Sequence, residues 1–255
     1  TKEGCVAGEC GPCSVFVNGV LMKSCLIPVA KAQGAEIVTI EGLADKNLTP
    51  VQKAFHKTGA VQCGYCIPGM VMASTAALQE NPDADAEEIR ERLGGNICRC
   101  TGYQKIIEAV ELARDVMNGT RTGDDLEEDE NEIFIGSNTR RIDAPSKVTG
   151  ALKYAGDMVL PEMLHMQVLR SPLPHARIVR LDTSAAEALP GVETVITSAD
   201  VPGVDGFGVF VHDQPVLARE KVRFVGEPVA AVVAEDVATA RKALKAIEVQ
   251  YEKLP

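Results

Sequence analysis

Eight cysteines, all within the first hundred residues, are the side chains of this 255-residue chain best suited to chemistry. They form two sets, Cys5, Cys10, Cys13 and Cys25 in the first and Cys63, Cys66, Cys98 and Cys100 in the second. Close pairs of the type C-x-x-C or C-x-C chelate more often than they cross-link, and disulfide-rich chains are usually short and secreted. The pattern therefore favours metal or iron–sulfur binding over a disulfide framework.

The first set has the spacing C-x4-C-x2-C with a fourth cysteine further on, which is typical of a plant-type [2Fe–2S] site. Gly4, Gly8 and Gly11 lie in or beside the loop CVAGECGPC at residues 5–13. Without Cβ atoms such a loop can curl closely and aim backbone N–H groups at sulfur. We predict a [2Fe–2S] cluster here, because a zinc knuckle does not need a glycine-wrapped loop.

The second set leaves two kinds of centre open. Cys66 lies just before a helix predicted to begin at Pro68, where the positive end of the helix dipole favours an anionic cluster. In an extended chain Cys98 and Cys100 point to the same side, so both thiols can reach one metal centre. Paired C-x2-C and C-x-C ligands also suit tetrahedral zinc, so spacing alone does not decide between zinc and a cluster.

Short elements must bring each set together. Residues 14–25 predict a hairpin around Asn18-Gly19, which returns Cys25 to the first three thiols, and residues 37–40 predict a closing strand. Capping residues and apolar periodicity predict four short helices around the second set, beginning at Pro50, at Pro68, after Asp85 and at Tyr103. Four helices with cysteines in their connections indicate a compact bundle.

The rest of the chain has no cysteine and reads as a different kind of module. Residues 124–132 carry seven acidic side chains in nine positions, which predicts a solvated linker, with a docking patch for an electron acceptor as the alternative. Beyond it, residues 192–197, 229–234 and 247–251 predict strands, and Asp236 caps a predicted helix.

Composition excludes several classes of function. A net charge of −10 argues against a nucleic-acid or anionic-membrane partner, since both require basic patches. No apolar run reaches the ~18 residues of a membrane span. The chain begins with Thr1, so we expect the true N-terminus to be absent, which leaves a cytoplasmic or a periplasmic location open.

Three strings carry a resemblance to a known family: CVAGECGPC with Cys25, VQCGYCIPG at 61–69 and GNICRCTGY at 95–103. In this order they resemble the iron–sulfur part of the xanthine dehydrogenase / aldehyde oxidase family of molybdenum hydroxylases. Residues from 136 onward, with LRSPLPHARI and VGEPVAAVVAED, resemble that family's α/β hammerhead domain.

The resemblance implies an α+β, multidomain chain. Residues 1–43 would be the C-terminal part of a ferredoxin-like β-grasp [2Fe–2S] domain, residues 44–118 a four-helix [2Fe–2S]-binding domain, residues 119–135 an acidic linker and residues 136–255 the hammerhead domain that opens the molybdenum part. Strands would precede Cys5, and cofactor-binding domains with the catalytic glutamate would follow Pro255. The chain is therefore interpreted as a fragment without catalytic residues of its own.

The resemblance also implies cofactors and roles. The first cysteine set would hold the outer [2Fe–2S] cluster and the second set the inner one, next to a molybdopterin-type molybdenum cofactor held mostly by the downstream domains. Gln62 and Cys100 would contact the pterin. Such enzymes oxidise their substrate with oxygen from water and pass electrons through both clusters.

The linker leaves no room for the flavin domain that many family members insert, so no FAD is expected in this chain. That arrangement resembles the bacterial aldehyde oxidoreductases and implies an external acceptor such as a flavoprotein or flavodoxin. The other expected partners are the remaining molybdenum domains, in the same or a separate chain, and a second copy in a homodimer. The alternatives are a purine or other N-heterocycle hydroxylase of the same family, a free-standing iron–sulfur electron-transfer protein, and a zinc-stabilised interaction domain.

Overall fold

The computed structural model describes residues 1–127, 135, 140–203 and 206–255. Contacts between residues divide the chain into two compact units, Thr1–Asp157 and Met158–Pro255. None of the helices within these described ranges is both long enough and apolar enough to cross a membrane.

The first unit contains a small antiparallel sheet beside the first cysteine set. Its strands are β1 (Ser14–Val17), β2 (Val20–Lys23) and β3 (Ile37–Val38), in the order β2-β1-β3. Val17 pairs with Val20, and the turn residues Asn18 and Gly19 have φ values of 49° and 80°, as a type I′ turn requires. The hairpin predicted around Asn18-Gly19 is confirmed.

Five helices follow: α1 (Ile40–Leu43), α2 (Pro50–Lys57), α3 (Ile67–Glu80), α4 (Ala86–Leu93) and α5 (Gln104–Met117). The last four are the predicted ones. Thr49 begins α2 with a capping box, in which its hydroxyl accepts from Gln52 N at 3.3 Å and its own N–H donates to Gln52 Oε1 at 2.9 Å. Ile40 was predicted to end a strand but begins α1, because its side chain is buried against the helices and that packing outweighs its β-propensity.

The helices of the first unit enclose one apolar core. Phe55 of α2, Met70 and Met72 of α3, and Ile106 and Val110 of α5 are all completely buried and belong to the same cluster. Burial of a side chain of this size contributes roughly 1.5–3 kcal/mol. This core therefore holds in place the loops on which the second cysteine set lies.

The described part of the acidic segment is mostly exposed, but two of its residues contact the helices. Residues 123–126 form a single 3₁₀ turn, and Leu126 at its end is 4% exposed within the core of the first unit. Lys53 of α2 forms an ion pair with Glu127. The four remaining acidic residues of this run, within 128–132, lie outside the described residues.

Residues 140–157, which we call the return segment, also belong to the first unit. They include the short helix α6 (Ala144–Val148). Val148 is fully buried in the helical core, and the buried Gln52 side chain donates to the Val148 carbonyl at 3.0 Å. The return segment is thus fixed against the domain that carries the second cysteine set.

The described residues of the second unit contain six strands and two helices: β4 (His165–Arg170), β5 (Ala176–Asp182), α7 (Ser184–Glu187), β6 (Val192–Ile196), β7 (Lys221–Val222), β8 (Pro228–Ala234), α8 (Val237–Leu244) and β9 (Glu248–Lys253). The strands form two antiparallel three-stranded sheets, ordered β4-β8-β6 and β7-β5-β9. Asp236 caps α8 as predicted, accepting from Thr239 N at 2.7 Å. Ala240 and Ala243 of α8 are completely buried in a cluster that includes Val232 of β8.

Candidate metal centres

The loop of the first cysteine set is wrapped around the sulfur of Cys5. That sulfur accepts hydrogen bonds from the backbone N–H groups of Ala7, Glu9 and Cys10, each at 3.4 Å. These bonds, led by the one from Ala7, lower the pKa of the Cys5 thiol to about 6. The predicted role of the bare backbone, to aim donors at a sulfur, is present in the structure.

The other thiols of the first set are brought close to one another by the hairpin. The carbonyl of Cys13 accepts from Ser24 N at 3.1 Å, which places Cys25 beside Cys13. The thiols of Cys13 and Cys25 are hydrogen-bonded, and this contact raises the pKa of Cys25. Cys5 and Cys10 form a second hydrogen-bonded pair.

The second set also forms two pairs, one inside and one at the surface. Cys66 and Cys98 are buried and hydrogen-bonded to each other, whereas Cys63 and Cys100 are exposed and hydrogen-bonded to each other. Burial, with the neighbouring thiols of Cys98 and Cys63, raises the pKa of Cys66 well above its ordinary value. Cys66 is the residue that precedes α3, as predicted.

Cys98 experiences opposing influences. Burial alone would raise its pKa, but hydrogen bonds, first among them the one that the Thr101 hydroxyl donates to Cys98 Sγ at 3.1 Å, lower the pKa overall. A sulfur that accepts such bonds is stabilised as a thiolate, which is the form that binds metal.

The arrangement of the thiols fits a two-iron cluster. All eight cysteines have free thiols. Each set supplies two pairs of thiols, and a [2Fe–2S] cluster takes four thiolates, two on each iron. The residues present therefore fit a [2Fe–2S] cluster at each set.

The two cysteine sets lie against each other within the first unit. The N–H of Ile97, next to Cys98, donates to the carbonyl of Cys10 at 2.8 Å. Gly69, in the first turn of α3, approaches so closely that a Cβ there would lie 2.1 Å from the Gly11 carbonyl oxygen. One backbone hydrogen bond thus links a cysteine of the first set to the neighbour of a cysteine of the second.

Gln62 and Cys100, predicted to contact a pterin, are both exposed on the side of the second set that faces solvent. The Gln62 carbonyl accepts a hydrogen bond from Lys147, while its side-chain amide has no partner among the described residues. The predicted pterin contact of Gln62 stays a prediction.

Sequence reasoning missed three residues that support the second cysteine set, namely Lys147, Tyr154 and Thr101. Thr101 could have been found from its position one residue after Cys100. Lys147 and Tyr154 stand more than 80 residues away from the loop in the sequence, and no local pattern predicts their approach.

Comparisons with known proteins agree with this geometry. Residues 39–111 match the model of the "[2Fe-2S] binding domain", and residues 149–255 match "Aldehyde oxidase and xanthine dehydrogenase, a/b hammerhead domain". The aldehyde oxidoreductase of Megalodesulfovibrio gigas is 38% identical over 100% of this chain, which spans 30% of that relative's length. The xanthine dehydrogenase iron-sulfur-binding subunit of Escherichia coli O157:H7 is 52% identical over 43% of this chain and 70% of its own length.

Among solved structures, the aldehyde oxidoreductase from Desulfovibrio desulfuricans matches with a TM-score of 0.92 and 32% identity. The match covers 100% of this chain and 30% of that one. The predicted combination of an iron–sulfur part and a hammerhead domain is confirmed.

Proposed function

Because this chain belongs to the xanthine dehydrogenase and aldehyde oxidase family of molybdenum hydroxylases, we propose that it is the electron-transfer portion of an aldehyde oxidoreductase. The observation that carries this proposal is the pair of four-thiol sets joined by the Ile97-to-Cys10 hydrogen bond. When bound, the molybdopterin cofactor supplies oxidation of an aldehyde to a carboxylic acid with oxygen from water, and the two [2Fe–2S] clusters supply one-electron carriage.

The residues of this chain divide the work of holding these groups. Cys5, Cys10, Cys13 and Cys25 hold the outer cluster, and Cys63, Cys66, Cys98 and Cys100 hold the inner one. The N–H groups around Cys5 offset negative charge on the outer site.

Gln62 and Cys100 face the cofactor. An amide offers both a donor and an acceptor to a pterin edge, and a thiolate sulfur accepts a hydrogen bond while it holds iron. Both residues are exposed in the first unit, which supports a contact with a group held by another part of the enzyme.

The aldehyde substrate is proposed from the organisation of the chain. Only residues 112–148 separate the iron–sulfur match from the hammerhead match, and the aldehyde oxidoreductase of M. gigas aligns with the whole chain. The second candidate is oxidation of a purine or another N-heterocycle. It is supported by the probable hypoxanthine oxidase of E. coli O157:H7, which is 36% identical over 97% of this chain.

The partners follow from the same proposal. The remaining molybdenum-binding domains complete the enzyme, a flavoprotein or flavodoxin accepts electrons from the outer cluster, and two copies form a homodimer in the cytoplasm.

The proposal is tested with the full-length enzyme, kept free of oxygen and mixed with either an aldehyde or hypoxanthine. We expect aldehyde to reduce both clusters, seen as bleaching of the visible absorbance and two paramagnetic signals, while hypoxanthine leaves them oxidised. Reduction by hypoxanthine alone would transfer the proposal to the second candidate. Reduction by neither, with dithionite still effective, would contradict both.

A further inference from the structure

The return segment places a buried positive charge against the loop of the inner cysteine set. Lys147, on α6, is 5% exposed, and its ammonium group donates to the Gln62 carbonyl at 2.8 Å. Its aliphatic stem packs on Gly64, where an added Cβ would lie 2.6 Å from Lys147 Cγ and Cδ. The lysine therefore contacts the residues on both sides of Cys63.

Tyr154, further along the return segment, holds the same loop by a second bond. Its hydroxyl donates to the Cys63 carbonyl at 2.8 Å. The ring is itself fixed, because it meets the ring of Tyr65 edge-on at 5.2 Å and lies 5.2 Å from the ammonium group of Lys2. Two side chains from one distant segment thus bind two consecutive carbonyls, those of Gln62 and Cys63.

The charge near the loop is not cancelled by its counterion. Asp143 pairs with Lys147 at 2.7 Å, but both of its oxygens also accept hydrogen bonds from Arg141, at 2.9 and 3.0 Å. One carboxylate is thereby shared between two cations, and the group of three carries a net positive charge. The ammonium is the buried member, where solvent screens it least.

We propose that Lys147 and Tyr154 are positioning residues for the inner [2Fe–2S] cluster: they fix the loop that carries Gln62 and Cys63, and Lys147 places beside it a positive charge that favours the reduced cluster. A reduced cluster is one unit more negative than the oxidised one, so a nearby buried cation stabilises it. The inference rests on the proposed function, because it requires that the two cysteine sets hold [2Fe–2S] clusters. It makes the return segment, which precedes most of the hammerhead match, part of the electron-transfer site.

The test is a redox titration of the full chain purified without oxygen, followed by the paramagnetic signals of the two clusters. The signals are first assigned with Cys13→Ser, which alters the outer cluster, and Cys66→Ser, which alters the inner one. Lys147→Met keeps the stem that packs on Gly64 but removes the charge, and Lys147→Arg keeps the charge. Lys153→Met is the matched control, since Lys153 is exposed on the same segment.

We expect Lys147→Met to make the inner cluster about tenfold harder to reduce, which is about 59 mV for a one-electron couple, without moving the outer one. Lys147→Arg should retain most of the original potential, and Lys153→Met should change neither. Tyr154→Phe keeps the ring and should broaden or shift the inner signal alone, because the Cys63 carbonyl loses its donor.

The inference is overturned if Lys147→Met leaves the inner potential unchanged, or if Lys153→Met shifts it as much. Should Lys147→Met fail to retain iron, Lys147→Arg and Tyr154→Phe decide the test. Retained iron and potential in Lys147→Arg with an altered inner signal in Tyr154→Phe support the inference, and any other combination contradicts it. A wild-type chain without iron would instead refute the proposed function, so the two failures are distinguishable.

Discussion

The backbone N–H groups around Cys5 and the apolar surroundings of Cys66 change the pKa values of two thiols in opposite directions. Cys5 therefore favours the thiolate, which is the form that binds metal, whereas burial favours the neutral thiol of Cys66. Sequence spacing predicted both as ligands because ligand spacing is a local property. Their different environments are set by tertiary packing, which no local pattern reveals.

At the same scale, Gln62 offers a test of the pterin contact. Gln62→Ala in the full-length enzyme should weaken retention of the molybdopterin cofactor by about 1–3 kcal/mol, the value of one or two hydrogen bonds, because only the exposed amide is lost. The measurement is cofactor content after dialysis, together with iron content, which should not change. Gln79→Ala, at an exposed position near the end of α3, is the control. Loss of iron with the cofactor retained would show that Gln62 supports the cluster loop instead.

At the scale of elements, helices with capping residues were predicted from the sequence, whereas several strands that depend on hydrogen bonding to distant strands were not. The helices α2 and α4 begin directly after their N-cap residues, Thr49 and Asp85, as predicted. These caps accept hydrogen bonds from N–H groups that have no partner within the helix. The strands β4, β5 and β7 were not predicted from the sequence. β7 has only two residues and β5 has its hydrogen-bonding partners far away in the chain, so neither has a distinctive local period.

The contact between α3 and the first cysteine loop predicts a steric effect. Gly69→Ala should destabilise the first unit by about 1–3 kcal/mol, because the new Cβ would lie 2.1 Å from the Gly11 carbonyl oxygen and both backbones are held by packing. Chemical unfolding followed by circular dichroism measures the loss. Gly42→Ala on α1 is the control, since the nearest atom to its Cβ would be 4.0 Å away. Equal stability of the two variants would show that α3 and the first cysteine loop do not pack closely.

The cap of α8 predicts a dependence on pH. Hydrogen bonds from the Thr239 backbone and side chain lower the pKa of Asp236 below its ordinary value of 3.8. The stabilisation that the Asp236 carboxylate gives the folded state is therefore complete above pH values near 3.8. It is lost as the pH falls through the lower pKa of the folded state. Asp236→Asn keeps a capping side chain but cannot titrate, so this part of the acid loss of unfolding free energy should vanish.

Denaturant titrations between pH 6 and pH 2 measure this pH-dependent loss of unfolding free energy. Asp213→Asn, at an exposed aspartate of the same unit, is the control. An unchanged pH profile in Asp236→Asn would mean that the cap is not formed in solution.

At the scale of the whole molecule, the sequence motifs predicted the kinds of domain and their order, which the comparisons confirm. The domain ranges themselves stay predictions. The return segment, which resembles the hammerhead domain in sequence, is held by Gln52 and Lys147 in the same compact unit as the cysteine sets. Such an assignment depends on long-range contacts, so the sequence alone could not reveal it.

Metal and sulfide analysis of the chain purified without oxygen tests the central claim most directly. Two clusters, each held by four thiolates, predict about four irons and four labile sulfides per chain, with visible absorbance and two distinguishable paramagnetic signals after reduction. Cys66→Ser should remove the inner signal and spare the outer one. Stoichiometric zinc, without sulfide or visible absorbance, would contradict the account.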